Sequence, residues 1–240
     1  MVLTTEMKPL AVLLVLSLVG CAAQPLSREQ LTQLVNSPER SAADRTNDER
    51  RHPVDMLSFI GVRPGMHVLD VSAGGGYTTE LLARAVGPKG TVYAQTPKPS
   101  PRLMDRLKSL KNVVLVPRKF DDPIPPEAKG LDLVTLMFNY HDFGHFGVDR
   151  ASLNRAVFAA LKPGGRYVIA DHAGRPGTGI SESNTLHRVE ESLVRREVEA
   201  AGFRLAQEGT FLRNANDPRD RETPDPPQPK DEFVLKFVKP

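Results

Sequence analysis

The chain has 240 residues, of which 40% are hydrophobic and 25% charged, with 18 glycines and 21 prolines. These proportions are near those of ordinary globular proteins and exclude a fibrous, wholly disordered or polytopic membrane protein. With 32 basic and 29 acidic residues the net charge is only +3, and this small surplus does not indicate a basic surface that binds nucleic acid. We therefore expect one soluble domain, monomeric, that binds no nucleic acid.

The amino-terminal segment has the pattern of an export signal. The apolar run 10–19 is too short to span a bilayer, and small residues follow it. This pattern predicts a signal peptide over residues 1–20. The single cysteine, Cys21, excludes internal disulfides and cysteine-based zinc clusters, and it stands directly after this segment.

The segment Leu18-Val19-Gly20-Cys21 resembles the lipobox of bacterial lipoproteins. In that family the cysteine sulfur receives a diacylglyceryl group, the leader is cut before it, and several acyl chains make a durable anchor. Ala22 follows, where many inner-membrane lipoproteins have Asp. The resemblance implies lipidation at Cys21 and an outer-membrane protein facing the periplasm. An ordinary signal peptide cut after Ala22 or Ala23, or a wrongly assigned start codon, are the alternatives.

The mature chain begins with helical signals. Ser27 and Gln30 predict a capping box that opens a short amphipathic helix. The polar residues 36–51 are predicted as a linker or a surface helix. Pro53 fits the first turn of a further helix, and Gly61 its carboxyl end.

From residue 63 onward, apolar strands alternate with amphipathic helices, which demands a parallel sheet covered on both faces. The predicted strands are 66–71, 91–95, 113–116, 131–138, 166–170, 203–205 and 233–238. The predicted helices are 77–86, 103–110, 149–161 and 183–201.

The chain divides into three parts. Residues 1–20 are the predicted signal peptide, 21–52 the lipidated amino terminus with its linker and short helix, and 53–240 the main domain. Within that domain, residues 213–231 are rich in proline and lack apolar periodicity, so they are predicted as a surface loop.

The first turn of the predicted sheet is rich in glycine, with the sequence Asp70-Val71-Ser72-Ala73-Gly74-Gly75-Gly76-Tyr77. In such sheets ligands bind outside the carboxyl ends of the strands, and glycines let a ligand approach the backbone. A dinucleotide fingerprint would need a third glycine at Thr79, so that cofactor is disfavoured.

The same segment resembles the acid-x-Gly-x-Gly-x-Gly signature of class I S-adenosylmethionine-dependent methyltransferases, with Ser72 in place of the first glycine. Residues 161–170 resemble the turn and fifth strand of that superfamily. The Ala-Gly-Gly-Gly-Tyr and Asn-Tyr-His-Asp segments resemble predicted methyltransferases of bacterial envelopes. The resemblance implies a Rossmann-like α/β fold, a mostly parallel seven-stranded sheet with an antiparallel last strand, and S-adenosyl-L-methionine as cofactor.

The resemblance also implies which residues hold the cofactor. Gln95 stands where the superfamily has an acid that accepts both ribose hydroxyls, and it can accept only through its amide oxygen. Asp121 stands at the adenine position, with Asp122 as an equal alternative. The full implied set is Asp70, Ser72, Gly74, Gly76, Tyr77, Gln95, Asp121 and Asn139.

A polar cluster, Asn139-Tyr140-His141-Asp142, follows the apolar fourth strand. Methyl transfer requires a nucleophile in line behind the methyl carbon, and a base only where the acceptor must lose a proton. His141 is the predicted base, oriented by Asp142 or Asp171, with Tyr140 beside it. The Asn/Asp-Pro-Pro-Tyr motif of amino-methylating enzymes is absent, so an amino acceptor is not indicated.

A metal-dependent alternative is left open beside the favoured expectation of no metal. Acids after strands four and five hold magnesium in catechol-type O-methyltransferases, and Asp142, Asp171 and His172 are the matching residues. His172 stands where an oxygen ligand is expected, which speaks against magnesium. Two residues lie near the start of the last predicted helix. His187 is expected to form a hydrogen bond with the loop backbone, and Arg188 is expected to face solvent.

Two functions of different classes remain open. The first is an envelope-anchored methyltransferase that acts on an unidentified small molecule, lipid or protein. The second is a non-catalytic sensor lipoprotein that binds a small ligand on the same fold; it is favoured by a supply problem, because S-adenosylmethionine is made in the cytoplasm. A cytoplasmic enzyme with a wrong start codon is the third, weaker possibility.

Overall fold

The computed structural model describes residues 24–223 and 228–240. The predicted signal peptide and Cys21 lie outside the described residues. In the part of the chain that is described, no helix combines the length and apolar character needed to cross a bilayer.

Three helices precede the sheet: α1 (Arg28–Val35), α2 (Ala42–Arg51) and α3 (Pro53–Ile60). The capping box is confirmed, because the Ser27 side chain accepts from the Gln30 backbone N–H and the Gln30 side chain accepts from the Ser27 N–H. Gly61 ends α3 in the left-handed region at φ 68°. Leu31 of α1 is buried in the same apolar cluster as Ile60, so α1 packs onto the main domain.

The remaining elements form a seven-stranded sheet with helices. The strands are β1 (His67–Val71), β2 (Thr91–Gln95), β3 (Val113–Val116), β4 (Leu131–Met137), β5 (Leu161–His172), β6 (Arg204–Gly209) and β7 (Glu232–Val238). The later helices are α4 (Tyr77–Val86), α5 (Pro101–Leu107), α6 (Arg150–Ala160) and α7 (Glu191–Ala200). The order is β3-β2-β1-β4-β5-β7-β6, and β7 runs antiparallel to both of its neighbours. The predicted sheet is confirmed.

The two faces of the sheet carry separate apolar cores, as the predicted double covering requires. On β5, Tyr167 and Ile169 pack on the face covered by α6 and α7, whereas Val168 and Ala170 pack on the face covered by α1, α3 and α4. All four side chains are fully buried. The central strands β1 and β4 are mostly apolar because water reaches neither face there.

The last helix is shorter than predicted, because the chain before Glu191 does not turn helically. His187 has a positive φ of 50°, and Val189 forms a parallel bridge with Ala173. The expectation of a solvent-facing Arg188 is wrong, since its side chain is fully buried. Its guanidinium donates to the Ala173 carbonyl and pairs with Asp217 at 2.9 Å.

This ion pair anchors the proline-rich loop. The described parts of residues 213–231 contain no helix or strand, in agreement with the prediction. The loop nevertheless sends Asp217 into the interior, where the carboxylate meets Arg188 and accepts from the Asp231 backbone N–H at 2.6 Å. Arg219 pairs with Asp231 beside it.

We expect Asp217→Ala to destabilise the fold by about 3–5 kcal/mol, because it leaves the buried Arg188 charge without its partner. Urea unfolding of the purified protein measures the loss. The matched control, Glu208→Ala, breaks the exposed pair with Arg195 and is expected to cost less than about 1 kcal/mol. Equal effects of the two substitutions would contradict the assignment.

Candidate ligand site at the carboxyl edge of the sheet

The glycine-rich turn lies between β1 and α4, at the carboxyl edge of the sheet, as predicted. Ser72, Gly74 and Gly76 all have positive φ, at 59°, 56° and 81°. A Cβ on Gly76 would lie 2.9 Å from Leu103 Cδ1 and 2.9 Å from Arg106 Cδ, so both space and backbone conformation require glycine there. Ser72 has the same left-handed backbone conformation although it carries a side chain. Glycine adopts this conformation without strain, whereas a residue with a Cβ does not.

The side chain of Gln95 is committed to the protein, which corrects its predicted role. It is fully buried, its Oε1 accepts from the Ser72 N–H at 3.0 Å, and its Nε2 donates to the Arg118 carbonyl at 2.7 Å. Both ends of the amide are thus engaged within the protein, which does not favour the predicted contact with a ribose hydroxyl. Gln95 therefore ties β2 to the turn instead of extending toward a ligand.

Asp70 lies beneath the turn and connects three elements. Its two carboxylate oxygens accept from Thr79 of α4 at 2.6 Å and from Thr135 of β4 at 2.8 Å. Burial raises the pKa of Asp70 to about 6, against the opposing effect of these hydrogen bonds. These hydrogen bonds hold the turn in place, and the predicted contact of Asp70 with the cofactor stays a prediction.

Helix α2 covers the turn from above, which the sequence did not predict. Asp44 is fully buried and lies 2.8 Å from both Arg102 and Arg106 of α5. Arg106 in turn donates to the Gly75 carbonyl at 3.1 Å. Burial alone would raise the pKa of Asp44, but hydrogen bonds from Arg106 and Ser41 lower it below its usual range. The segment predicted as a linker or surface helix is thus a lid on the glycine turn.

The end of α2 places a cation beside the turn. The Arg51 guanidinium lies 4.4 Å from the centroid of the Phe138 ring and 5.4 Å from that of Tyr77. No ion pair joins it to a carboxylate within residues 24–223 and 228–240. Burial, followed by the neighbouring Arg50 charge, lowers the pKa of Arg51. The Tyr77 hydroxyl donates to Asp48 of α2 at 2.6 Å, which fixes the ring in this position.

The residues that follow β4 point in different directions. Asn139 accepts from the Ser72 hydroxyl and donates to Asp142 at 2.7 Å, so it joins the turn to the polar cluster. Tyr140 is fully buried, and its hydroxyl donates to Glu197 of α7 at 2.6 Å. Tyr140 therefore packs in the core with its hydroxyl engaged, which does not favour the catalytic role that stays a prediction for it.

His141 is held between two carboxylates. Its Nδ1 lies 2.6 Å from Asp171 Oδ1, and its Nε2 lies 3.1 Å from Asp142 Oδ1. Burial disfavours the charged ring, but Asp171 and Asp142 outweigh that effect and raise the pKa of His141 to about 9. A ring that is protonated at neutral pH cannot accept a further proton, so this setting opposes the predicted role of general base.

Within the described residues, Asp171 and His172 are not gathered with Asp142 as the alternative magnesium site would require. Asp171 is fully buried, and besides the His141 ring it accepts the backbone N–H groups of His141 at 2.8 Å and His172 at 2.7 Å. The His172 Nδ1 atom faces Glu232 Oε1 at 2.9 Å. Burial lowers the pKa of His172 to about 3 and raises that of Glu232 to about 7. The Asp171 carboxylate instead fixes the orientation of the His141 ring through its contact with Nδ1.

Two further histidines complete the cluster. His187 Nδ1 lies 3.2 Å from Asp142 Oδ1, on the same oxygen that faces His141. His145 lies beside His187, with ring centroids 6.1 Å apart, and its Nδ1 meets the Ser183 hydroxyl at 2.9 Å. His145 is not among the residues that the sequence singled out; its spacing of three residues from Asp142, across a short 3-10 turn, was the available signal.

The comparisons with known sequences agree with this architecture. A model of the protein-L-isoaspartate(D-aspartate) O-methyltransferase family matches residues 27–106. The ubiquinone/menaquinone biosynthesis C-methyltransferase of Burkholderia multivorans is 33% identical over 117 residues, which cover 48% of this chain and 46% of that protein. The chain thus spans about half the length of the curated relatives it matches.

Solved structures extend the likeness to most of the chain. A SAM-dependent methyltransferase from Aquifex aeolicus superposes with a TM-score of 0.62 at 20% identity, covering 90% of this chain and 100% of its own. A TehB-like SAM-dependent methyltransferase from Corynebacterium glutamicum gives 0.54 at 16% identity, covering 83% and 99%. The fold is that of class I SAM-dependent methyltransferases, and the related sequences support the same superfamily.

We expect Gln95→Glu, which supplies the acid usual at this strand end, to destabilise the protein by about 1–3 kcal/mol. The new carboxylate oxygen would face the Arg118 carbonyl instead of donating to it, in a fully buried position. Chemical unfolding measures the change, with the exposed Gln33→Glu on α1 as control. A stable Gln95→Glu protein with tighter cofactor binding would show that the amide is a replaceable ribose ligand.

Proposed function

We propose that the protein is a S-adenosylmethionine-dependent methyltransferase held at the cell envelope by a lipid on Cys21. One observation carries the enzymatic part of this proposal: the left-handed turn of Ser72, Gly74 and Gly76 at the carboxyl edge of a sheet in the order β3-β2-β1-β4-β5-β7-β6. Ligands of open α/β sheets bind at this edge, where the strand order reverses beside β1. The related sequences and folds support the same activity.

The proposed cofactor fits the charges around the turn. Arg51 forms no ion pair with a carboxylate of the described residues, and its place beside Tyr77 and Phe138 suits the cofactor's methionine carboxylate. The backbone of Gly74 and Gly76 would pack against the amino-acid and ribose portions. Asp121, partly exposed beyond β3, remains the proposed adenine contact.

The acceptor would meet the methyl group at the end of β4. Phe138 follows this strand, and Asp142 and His187 are the partly exposed members of the polar cluster beyond it. In the reaction the nucleophile bonds to the methyl carbon as the carbon–sulfur bond breaks, and S-adenosylhomocysteine leaves. Holding the two reactants in line is the protein's main contribution.

A non-catalytic sensor on the same fold is the second candidate. It is favoured by the commitment of Gln95 to internal hydrogen bonds, which removes the group expected to hold both ribose hydroxyls. Without that hydrogen-bonding group the affinity for a nucleoside falls, while the fold is unchanged.

We expect Arg51→Met to weaken S-adenosylmethionine binding by about 10–100-fold, since a charge-assisted hydrogen bond contributes about 1.5–3 kcal/mol. Isothermal titration of the full-length protein in detergent measures the affinity. Arg155→Met, on the exposed face of α6, is the matched control and should bind like the wild type. Absence of binding by the wild-type protein at millimolar cofactor would refute the enzymatic proposal.

Transfer of a labelled methyl group separates the enzyme from the sensor. We expect incorporation into an envelope extract, and we expect His141→Ala, which removes the ring that contacts Asp142, to lower it while the variant still binds the cofactor. Binding without any incorporation favours the sensor.

For the anchor, we expect Cys21→Ser to abolish acyl labelling and to move the protein from the detergent phase to the aqueous phase, because lipidation requires the thiol. Metabolic labelling with a fatty acid followed by phase separation measures both effects. A Cys21→Ser protein that is still labelled and still in the detergent phase would rule out lipidation at this residue.

A further inference from the structure

We propose that His141, Asp142 and His187 bind a divalent transition-metal ion such as Zn²⁺. Within residues 24–223 and 228–240, these three residues bring one imidazole nitrogen or carboxylate oxygen each to within 4.8 Å of one another. The set differs from the magnesium ligands that the sequence suggested, because it contains neither Asp171 nor His172.

Two of the three separations between the ligand atoms are close to those around a tetrahedral ion. Zinc bonds to nitrogen and oxygen of about 2.0–2.1 Å place neighbouring ligand atoms about 3.3 Å apart. The Asp142 Oδ1 atom lies 3.1 Å from His141 Nε2 and 3.2 Å from His187 Nδ1. Two imidazole nitrogens therefore converge on one carboxylate oxygen at nearly the distance that a shared ion imposes.

The surrounding hydrogen bonds hold the ligands in that orientation. Metal-binding histidines generally donate their second ring nitrogen to a carboxylate, and metal-binding carboxylates are themselves hydrogen-bonded. Here His141 uses Nδ1 toward the buried Asp171 at 2.6 Å, which leaves Nε2 directed at the cluster, where the ion would displace the Nε2 proton. The other Asp142 oxygen, Oδ2, accepts from Asn139 at 2.7 Å. Both supports extend from neighbouring strand ends of the sheet.

The chemistry of the donors selects the kind of ion. Two imidazoles and one carboxylate suit zinc, iron, cobalt or nickel, whereas magnesium prefers oxygen ligands. His145 is not counted as a ligand, because its Nδ1 lies 3.9 Å from Asp142 Oδ1 and is engaged with Ser183. A three-ligand site keeps a coordination position for water or substrate, as catalytic zinc sites do. On the proposed function, that position would polarise an acceptor oxygen.

Cobalt titration of the full-length protein, first treated with a chelator and then freed of it, tests the site. We expect one equivalent of Co²⁺ to give visible d–d absorption bands, and one equivalent of Zn²⁺ to remove them. Removing only a group that hydrogen-bonds to a metal ligand lowers the metal affinity about 10–100-fold. We therefore expect His187→Ala, which removes a ligand itself, to weaken binding by at least about 100-fold. Circular dichroism checks that the variant is folded, and the partial exposure of His187 favours this.

His67→Ala is the matched control, because it removes an exposed imidazole at the start of β1, the opposite edge of the sheet. It should bind Co²⁺ like the wild type. No d–d bands in the wild-type protein, or equal binding by a folded His187→Ala variant, would overturn the proposal. The titration contains no S-adenosylmethionine, so its outcome is separate from that of the cofactor titration above.

Discussion

The candidate site depends on one chain of hydrogen bonds that crosses the carboxyl edge of the sheet. Gln95 at the end of β2 accepts from the backbone of Ser72, the Ser72 hydroxyl donates to Asn139, and Asn139 donates to Asp142. The chain fixes the positions of three neighbouring strand ends relative to one another. His141 continues it to Asp171 at the end of β5. Each polar group is satisfied by the next, which is the condition under which a buried polar network is stable.

The two departures from the methyltransferase signature are connected through this chain. Serine in the left-handed region costs about 1–2 kcal/mol relative to glycine, yet only a side chain at position 72 can donate to Asn139. Glutamine in place of the acid allows one side chain to accept from Ser72 and donate to Arg118, which a carboxylate cannot do. Neither substitution is readily understood alone. Together they replace the predicted contact with the ligand by hydrogen bonds that hold the carboxyl edge of the sheet in place.

The sequence predicted those parts of the fold that local patterns determine. The bounds of α4, β2 and β3 match because apolar periodicity and flanking glycines are local signals. The lid role of α2, the buried Arg188 and the core position of Tyr140 were missed. Each depends on a polar partner distant along the chain: Arg102 and Arg106 for Asp44, Asp217 for Arg188, and Glu197 for Tyr140. A sequence shows that these residues are polar, but not which of them will meet.

The lid formed by α2 has a consequence for ligand entry. The cavity beside Arg51, Tyr77 and Phe138 measures about 20 Å³, which is room for about one water molecule. Small-molecule sites measure about 300–1,000 Å³, so the described conformation is closed. On the proposed function, binding of a nucleoside beside Arg51 would therefore require neighbouring elements to move, and the populated fraction of such molecules would divide the intrinsic dissociation constant. The Asp44 ion pairs join α2 to α5, so on the proposed function they would oppose any movement of α2 that ligand entry required.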